Sequence, residues 1–592
     1  MCGIFGYKGD QEAFKLVVDG LTRLEYRGYD SWGISTLKDN KISTVKNVGS
    51  IGAALNLSEE EKGIHIAIGH TRWATHGGVS QVNAHPHSST DGSFVLAQNG
   101  IFENFLEVKN ELLQKGFKFE SETDTEVIVR LIEDIQKTSK LALKDSIREA
   151  FKKLQGRNTI IVLDKEGTIF AVKNGSPLVL GTNDSGEYFL SSDALSFSDL
   201  VSEIVVIENF QLIEIGKENP KLFDVKTGEE LSLSWQDLEI SEGEIDKGEF
   251  EHFMLKEIME QSETIEKAVK FLDEEMLEKL KKSIGESTHV YTIGSGTAGV
   301  AASLGAFYLR KIAKINATAL IGAEAIEYYD LFKKDDLIIV PSQSGETADV
   351  LEALEIAKKQ GLRIASFVNM PGSTISRLSE FPFMANAGPE IAVASTKIFT
   401  SQAIWFYLLA HFLNGTLEQA KAEALKAAEE LDKWFKSDAP KKIEELAGKI
   451  NQVEDLYLFG KSEYYQIARE GMIKIIEVAN VHAHALPSGD LKHYVIAMIT
   501  KGVHAIALVP DGPLRNDVLN AVEQIKTRGG TIIGISPLSH SEFDYFIKIP
   551  KAGDLTAVLA TMPLQLLTYY LTLQKGFPID KPRNIAKSVT VK

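Results

Sequence analysis

The residue type best suited to nucleophilic chemistry is Cys2, the single cysteine among 592 residues. If Met1 is removed, Cys2 carries both a thiol and the α-amino group of the mature chain. A thiol is only slightly ionised at neutral pH and needs a base beside it to react. An α-amine titrates at about 7.7 to 8.0, so the amine of Cys2 itself is suited to that task. The alternative for a lone cysteine is a small, inert, buried residue.

Polar motifs that could surround such a nucleophile lie between residues 24 and 126. They are residues 24–30 (LEYRGYD), 69–77 (GHTRWATHG), 83–87 (NAHPH), 99–104 (NGIFEN) and 121–126 (SETDTE). With Cys2, their order and spacing closely resemble the class II glutamine amidotransferases. In that family an N-terminal cysteine hydrolyses glutamine and releases ammonia.

The resemblance implies a role for individual residues of this first part of the chain. Cys2 would be the glutaminase nucleophile, and Asn99 and Gly100 would form an oxyanion hole for the tetrahedral intermediate. A guanidinium fork suits the glutamine α-carboxylate, and a carboxylate suits the α-amino group. The glutamine-binding residues implied in this way are Arg72, Trp73, Thr75, His76 and Asp124. The histidines are not expected to bind metal, and no cofactor is expected.

The composition limits the classes of partner. The net charge is −18, from 82 acidic and 64 basic residues, which disfavours nucleic acid and anionic membrane. The longest apolar candidate, residues 403–413, is shorter than the roughly 20 residues of a membrane helix. Charged residues near the start argue against a signal peptide. One cysteine leaves no internal disulfide, which favours a reducing cytoplasm.

The pattern of elements changes along the chain. Residues 1–240 show short β-branched runs and a few helices, which indicates an α+β domain. For it the amidotransferase resemblance implies the N-terminal nucleophile (αββα) hydrolase fold. A polar stretch predicts a linker over residues 241–258. Strand-like and helical runs then alternate, which predicts doubly wound parallel sheets of α/β type.

This alternating plan occurs twice, with Gly294 and Gly460 as equivalent points. It predicts one domain over 259–425, with a core at about 278–417, and another over 426–592, with a core at about 447–582. Residues 583–592 form a C-terminal tail. Both copies resemble the sugar isomerase (SIS) family, whose members bind phosphosugars.

A phosphate site is predicted in the first copy alone. Four polar side chains lie between the end of a strand and the start of a helix, where unpaired N–H groups and the helix dipole favour an anion. An ordinary helix cap is the alternative for any one of them. They are Ser342, Gln343, Ser344 and Thr347. Equivalent strand-to-helix positions add Thr297, Val393 and Ser395.

The order of the three domains, with the tail at 580–592 (DKPRNIAKSVTVK), resembles the glucosamine-6-phosphate synthase family. The resemblance implies that Lys587 forms a Schiff base with an open-chain ketose. Glu477 would move a proton between C1 and C2, and His493 would open the sugar ring. A helix is predicted over residues 470–481, and its spacing places Glu470, Lys474 and Glu477 on one face. The resemblance implies that Lys474 lies in the sugar site.

The resemblance further implies the substrates and the assembly. Glutamine would donate ammonia, transferred inside the protein to fructose 6-phosphate, as the first step of hexosamine biosynthesis. A homodimer through the isomerase half is expected. The chain departs from the family pattern at Gln98, where histidine is common, and at Tyr494–Val495. Two alternatives stay open: an amidotransferase or deaminase acting on another ketose phosphate, and a non-catalytic phosphosugar sensor.

Overall fold

The structure is a computed structural model that describes residues 2–57, 62–238 and 246–590. The chain divides into two compact units, residues 1–243 with 588–592 and residues 244–587. The beginning of the predicted linker, residues 241–245, lies outside the described residues. Its last part contains the start of a helix at Phe253–Met259.

In residues 2–57 and 62–238, the first unit contains two antiparallel sheets. One has the strand order β15-β11-β9-β10-β1-β4-β2-β3 and the other β14-β13-β12-β8-β7-β6-β5. The strands are β1 Gly3–Lys8, β2 Ser31–Lys38, β3 Lys41–Val48, β4 Ile66–Arg72, β5 His87–Ser88, β6 Phe94–Gly100, β7 Asn158–Asp164, β8 Ile169–Asn174, β9 Val179–Thr182, β10 Tyr188–Ser191, β11 Glu203–Val206, β12 Gln211–Ile215, β13 Lys221–Asp224, β14 Glu230–Leu231 and β15 Gln236–Asp237. The helices are α1 Ala13–Arg23, α2 Phe105–Gln114, α3 Asp124–Ser139 and α4 Leu143–Phe151.

The two sheets of this unit lie face to face between helical layers. Successive side chains of a strand point to opposite faces, and the neighbours Ile4 and Phe5 of β1 enter different cores. Ile4 packs with Ile161 of β7 between the sheets, whereas Phe5 packs under α1. The outer face of the second sheet packs under α2, α3 and α4. This is the predicted helix–sheet–sheet–helix architecture, and the prediction is confirmed.

The described part of the second unit, residues 246–587, contains two five-stranded parallel sheets. Their orders, β17-β16-β18-β19-β20 and β22-β21-β23-β24-β25, follow the same plan. The strands are β16 Val290–Gly294, β17 Ala317–Ile321, β18 Leu337–Ser342, β19 Arg363–Val368, β20 Phe381–Met384, β21 Asp455–Gly460, β22 His482–Pro487, β23 His504–Leu508, β24 Thr531–Ser536 and β25 Tyr545–Lys548. The predicted pair of doubly wound α/β domains is confirmed.

Helices cover both faces of each parallel sheet, as expected for strands that are buried on both sides. One large core joins the inner faces of both sheets, and α9 and α15 cover the outer faces. The helices are α5 Phe253–Met259, α6 Gln261–Lys270, α7 Glu274–Gly285, α8 Gly296–Lys311, α9 Ala348–Lys359, α10 Thr374–Leu378, α11 Lys397–Leu413, α12 Leu417–Phe435, α13 Ala439–Lys449, α14 Glu463–Glu477, α15 Arg515–Lys526, α16 Thr556–Leu559 and α17 Thr561–Lys575.

Two expectations from the sequence need correction. Residues 403–413 are not the longest apolar stretch, because Gly553–Lys575 is long and apolar enough to cross a membrane, although 94% of it is buried inside the fold. The helix expected at residues 470–481 instead spans Glu463–Glu477 and ends at Glu477. Its first turns were missed because Tyr464 and Tyr465 interrupt a clear polar and apolar pattern.

Candidate active sites

In the first unit, Cys2 lies just before β1, a central strand between β4 and β10. The backbone N–H of Trp73 donates to Cys2 Sγ at 3.3 Å, and the thiol lies 3.6 Å from the Trp73 carbonyl oxygen. A Cβ on Gly3 would lie 2.6 Å from Thr71 Oγ1, so β1 and β4 pack closely beside Cys2. Burial raises the pKa of the Cys2 thiol, although the Trp73 N–H opposes this. The resting thiol is therefore protonated and needs a base.

Arg72 ends β4, and its buried guanidinium holds the loop that follows. It donates to the carbonyl oxygens of Gly78 at 3.2 Å and Gly77 at 3.1 Å, and also to that of His76. An arginine carries five N–H groups, so part of the fork remains for a ligand. Arg72 thus shapes the loop expected to close over glutamine and stays able to bind a carboxylate.

The loop residues predicted to cover glutamine differ in their packing. The Trp73 ring meets Tyr29 edge to face at 5.8 Å, and the His76 ring meets Phe105 at 4.9 Å. The Ala74 N–H donates to Asp30 Oδ2 at 2.9 Å, while Thr75 is exposed. Aromatic contacts therefore hold the two ends of this turn and leave Thr75 at its tip.

Asn99 and Gly100 end β6, on the second sheet of the same unit. Asn99 is buried, and its Oδ1 has no hydrogen-bond partner among the described residues. Gly100 has φ = +124°, and a Cβ there would lie 2.0 Å from the carbonyl oxygen of Arg157. Only glycine fits this position without displacing the backbone. The pair therefore combines a buried amide side chain with a backbone position that requires glycine.

Asp124 is the first residue of α3, preceded by Thr123 as the N-cap. Its Oδ2 accepts from the backbone N–H of Phe102 at 2.8 Å. Burial raises the pKa of Asp124, while this N–H opposes the rise. The helix N-terminus also favours a negative charge at this position. These contacts fix a buried carboxylate that can receive an ammonium group.

Three buried histidines, His70, His85 and His87, form a stack with ring centroids 4.3 and 5.2 Å apart. Burial lowers the pKa of His70 to about 3 and holds the pKa of His85 and that of His87 well below the usual value. All three are therefore neutral at pH 7. In the described residues, no group of three histidine, cysteine, aspartate or glutamate side chains is arranged to hold a metal ion.

Gln98, the departure from the family pattern, links this stack to Asp124. Its backbone N–H donates to His85 Nδ1 at 3.4 Å, and its Oε1 accepts from Thr125 Oγ1 at 2.6 Å. Its Nε2 donates to Asn158 Oδ1 at 2.6 Å and reaches Asp124 Oδ2 at 3.5 Å. Gln98, a residue with a neutral amide side chain, therefore connects His85 with Asp124. The sequence alone does not predict this support, although Thr123 and Thr125 on either side of Asp124 are typical of a polar helix start.

In the second unit, the side chain of Lys587 is buried, whereas a lysine near a chain end is usually solvated. Its Nζ lies 2.5 Å from Glu390 Oε2 and 2.7 Å from the carbonyl oxygen of Ala392. The side chains of Lys587 and Glu390 are 2% and 0% exposed. Lys587 is therefore a buried amine held by two acceptors rather than a surface charge.

Helix α14 brings together the three charged residues whose spacing placed them on one face. Lys474 Nζ lies 2.7 Å from Glu477 Oε2 and 3.6 Å from Glu470 Oε1. Burial opposes the charge on Lys474, yet Glu477 and Glu470 raise its pKa. Burial raises the pKa of Glu470 to about 8, and Thr297 Oγ1 donates to its Oε1 at 3.3 Å. Glu470, left out of the predicted site, is therefore part of this cluster.

The predicted phosphate residues lie on the turn between β18 and α9. Ser342 Oγ accepts from the Gly345 N–H at 2.9 Å, which folds the turn back on itself. Gly345 has φ = +64°, and a Cβ there would lie 2.1 Å from Ser373 Oγ. The Thr347 side chain makes no capping bond to α9 and stays available. The residues only partly buried, and so able to meet a ligand, are Gln343, Ser344 and Thr347.

This turn shares its sheet edge with the turn after β16, which carries Thr297. β16 and β18 are neighbours at the point where the strand order reverses, the usual place for ligands in such sheets. Val393, in contrast, uses its backbone N–H to bind the Asp580 carbonyl oxygen at 2.9 Å. Ser395 lies partly exposed just before α11.

His493 stands apart from the other predicted residues. It is exposed at the end of a 3-10 helix, Leu491–His493. In residues 246–590, no hydrogen bond or ion pair joins its ring to Lys587 or Glu477. The next two residues, where the chain departs from the family pattern, differ in exposure: Tyr494 is exposed and Val495 is buried.

Comparisons with known proteins follow the same division of the chain. The SIS domain family matches residues 283–412 and 449–575, and the glutamine amidotransferase domain family matches residues 70–198. Glutamine--fructose-6-phosphate aminotransferase [isomerizing] of Clostridium tetani is 37% identical over 614 residues, covering 100% of both chains. The protein of the same name from Pyrococcus horikoshii is 36% identical over 602 residues, with the same coverage. The chain belongs to this aminotransferase family.

A solved structure agrees with the fold of the second unit. The C-terminal domain of glucosamine-fructose-6-phosphate aminotransferase from Francisella tularensis covers 57% of this chain and 100% of its own. It is 30% identical, with a TM-score of 0.53. Membership of the aminotransferase family confirms the predicted sequence of one amidotransferase domain and two SIS domains. The roles of the individual site residues stay predictions.

Proposed function

We propose that this chain transfers the amide nitrogen of glutamine to fructose 6-phosphate and isomerises the product to glucosamine 6-phosphate. Full-length similarity to the aminotransferases named above supports this function. The observation that carries it is the buried Lys587 amine, held by Glu390 in the unit that also contains the turn with Ser342 and Thr347. An amine of this kind fits Schiff-base chemistry on a phosphorylated ketose.

In the first unit, Cys2 attacks the side-chain amide of glutamine. Its own α-amine, free once Met1 is removed, takes the thiol proton and delivers it to the leaving ammonia. Asn99 and Gly100 donate to the oxyanion of the tetrahedral intermediate. Water then hydrolyses the thioester to glutamate. Arg72 and Asp124 hold the two charged groups of the substrate.

In the second unit, Lys587 condenses with C2 of the open-chain ketose and releases water. Ammonia from glutamine replaces the lysine amine at C2. Glu477 moves a proton from C1 to C2, which leaves an aldehyde at C1 and an amine at C2. Lys474, beside Glu477 at 2.7 Å, orients this carboxylate. Ser342, Gln343, Ser344 and Thr347, with Thr297, Val393 and Ser395, bind the sugar phosphate.

We further infer that ammonia passes within the protein, that the protein is a cytoplasmic homodimer, and that His493 opens the sugar ring. His493, and His482 and His484 on β22, are exposed. Their exposure is consistent with side chains that contact the sugar bound by the other subunit of the dimer. Light scattering tests the dimer. A monomer at assay concentration that retains full activity contradicts it.

Incubation with glutamine and a panel of hexulose 6-phosphates, with product analysis by mass spectrometry, tests the function. Glucosamine 6-phosphate from fructose 6-phosphate, lost in Cys2→Ala when glutamine is the nitrogen donor, is expected. An amino sugar formed only from another ketose phosphate contradicts the assigned acceptor. Binding of sugar phosphates without any product contradicts an enzyme and leaves the sensor.

A further inference from the structure

Two buried glutamates beside Lys587 have no part in the proposed reaction so far. Glu390 lies before α11 and Glu257 lies in α5. Both contact the short segment that also provides a carbonyl oxygen for Lys587: Glu257 Oε1 accepts from the Ala392 N–H at 3.1 Å, and the Ala392 carbonyl accepts from Lys587. Two buried carboxyl groups thus lie at the segment that holds the buried amine: Glu390 contacts the amine itself, and Glu257 contacts the backbone beside it.

Glu390 is held as a carboxylate. Its Oε1 accepts from the backbone N–H groups of Thr396 at 2.8 Å and Ile398 at 3.1 Å, at the start of α11. Its Oε2 contacts Lys587 Nζ at 2.5 Å. Burial opposes the charge, but Lys587 and these N–H groups lower the pKa of Glu390. Each oxygen is therefore occupied by a donor that favours the ionised form.

Glu257 is held as a neutral acid. Burial raises its pKa to about 8, Lys587 and Lys397 oppose the rise, and Glu390 adds to it. Its Oε2 is buried and has no hydrogen-bond partner among the described residues. The negative charge of Glu390 favours the neutral form of Glu257, because like charges in a buried site oppose each other's ionisation.

The other charged groups near this site have partners of their own. Lys397 Nζ pairs with Glu260 Oε2 at 2.9 Å, and Lys474 pairs with Glu477 and Glu470 on α14. This leaves Glu390 as the single ionised partner of Lys587 among the described residues. The negative charge of Glu390 thus compensates the positive charge of Lys587. This is the nitrogen that must lose a proton and later carry the iminium charge.

We propose that Glu390 is the proton acceptor and counter-ion of the reacting Lys587 nitrogen, and that Glu257 stays uncharged so that one negative charge faces this amine. The inference rests on the proposed function. The Lys587 ammonium gives a proton to Glu390, and the free amine adds to C2 of the ketose. That proton and the second proton that the nitrogen gives up on addition both go to the departing oxygen, water leaves, and a protonated imine remains beside the Glu390 carboxylate. Ammonium and ketone thus become iminium and water.

The tail that bears Lys587 is fastened so that this geometry is kept. The Asp580 carboxylate accepts from the Met254 N–H at 2.9 Å and the Phe253 N–H at 3.0 Å, at the start of α5. The Asp580 carbonyl accepts from Val393. Helix α5 therefore carries Glu257 and also anchors the tail that bears Lys587. This shared anchor fixes the position of Lys587 relative to Glu257.

The test compares Glu390→Gln with the matched variant Glu257→Gln, both in the full-length protein. A glutamine amide keeps an oxygen for the Thr396 and Ile398 N–H groups but cannot accept a proton. The imine is trapped with sodium borohydride in the presence of fructose 6-phosphate, and the modified Lys587 peptide is quantified by mass spectrometry. Glutamine hydrolysis, which needs neither glutamate, monitors the integrity of the other unit.

Glu390→Gln is expected to trap the imine about 100-fold more slowly or worse, as removal of a proton-transfer group does. Glu390→Asp restores part of the rate. Glu257→Gln is expected to stay within about threefold of wild type at pH 7, because an amide mimics a neutral acid.

A trapping rate in Glu390→Gln equal to that of wild type overturns the inference, as does a loss in Glu257→Gln as large as that in Glu390→Gln. If Glu390→Gln loses its cooperative thermal transition, the comparison of Glu390→Asp with Glu257→Gln decides by the same criteria. The proposed function fails separately, by the absence of any trapped Lys587 adduct in the wild-type protein.

Discussion

Cys2 and Lys587 are the nucleophiles of one proposed reaction sequence, yet they lie in different electrostatic surroundings. Cys2 is partly exposed, receives a backbone N–H, and lies in a unit whose buried histidines are neutral. Lys587 is buried against a carboxylate within a cluster of charges. A thiol needs only to lose a proton, whereas an amine must lose one and then carry a positive charge as an iminium. The counter-ion is found where that charge persists.

The sharpest way to break this comparison is to remove each nucleophile in turn. Lys587→Arg keeps the positive charge beside Glu390 but cannot form an imine. We expect glucosamine 6-phosphate formation to fall by about 10⁴-fold or more, since removal of a nucleophile is among the costliest substitutions. Glutamine hydrolysis should persist, which a glutaminase assay measures. Retained synthesis in this variant contradicts the role of Lys587.

The reciprocal change is Cys2→Ala. Glutamine hydrolysis should fall by a similar factor, because the thioester cannot form. Borohydride trapping at Lys587 with fructose 6-phosphate should continue at the wild-type rate. A variant that also loses trapping indicates that the amine depends on chemistry in the first unit, contrary to the separate activation described here.

Asp124→Asn tests the glutamine site and is expected to have an intermediate effect on glutamine hydrolysis. The amide keeps an oxygen for the Phe102 N–H but removes the charge that faces the substrate ammonium. We expect kcat/KM for glutamine to fall by about 10- to 100-fold, as for hydrogen bonds to charged groups. Steady-state kinetics with glutamine measure this. An unchanged kcat/KM contradicts the assignment, and unaltered trapping at Lys587 serves as the control.

Thr347→Val removes one hydroxyl from the phosphate turn and no hydrogen bond within it. The loss of about 1 kcal/mol or slightly more should raise KM for fructose 6-phosphate about 5- to 10-fold, with kcat little changed. Inorganic phosphate should also inhibit the variant less well than wild type. If neither constant moves, Thr347 is an ordinary helix-start residue.

The smallest effect concerns stability and pH. The pKa of Glu257 is about 8 in the folded protein and near 4.5 when unfolded, so the folded state holds more protons between these values. Its contribution to stability is complete below about pH 4.5 and declines as pH rises to 8. Glu257→Gln removes this decline. The thermal midpoint of the variant should therefore gain a few degrees on wild type between pH 6 and 8.

Much of the fold follows from local patterns. Arg363–Val368 can be predicted as a buried strand from its short, mostly apolar run, and Asp124–Ser139 as a helix from the period of its apolar residues. β17 and β22 are harder to predict, since short strands beside a helix carry little periodic signal. The break between α16 and α17 is not predictable, because apolar residues continue through it.

The site was predictable only as far as motifs extend. Ser342 and Thr347 could be placed because a strand-to-helix turn positions them by itself. Glu390 and Glu257 could not. Glu390 contacts Lys587 across 197 positions of sequence, and Glu257 contacts Ala392, the residue that also binds Lys587, across 135 positions. His493 is the opposite case. Its motif could be recognised in the sequence, but within residues 246–590 no hydrogen bond or ion pair joins its ring to Lys587 or Glu477.

The most direct test of the account is the fate of nitrogen from amide-¹⁵N glutamine in the presence of fructose 6-phosphate and an excess of unlabelled ammonium. Mass spectrometry of the hexosamine product reports its source. The account predicts glucosamine 6-phosphate that carries the label in most molecules, because ammonia made at Cys2 is used at C2 of the sugar. A hexosamine without label, or labelled ammonia with no hexosamine, contradicts it.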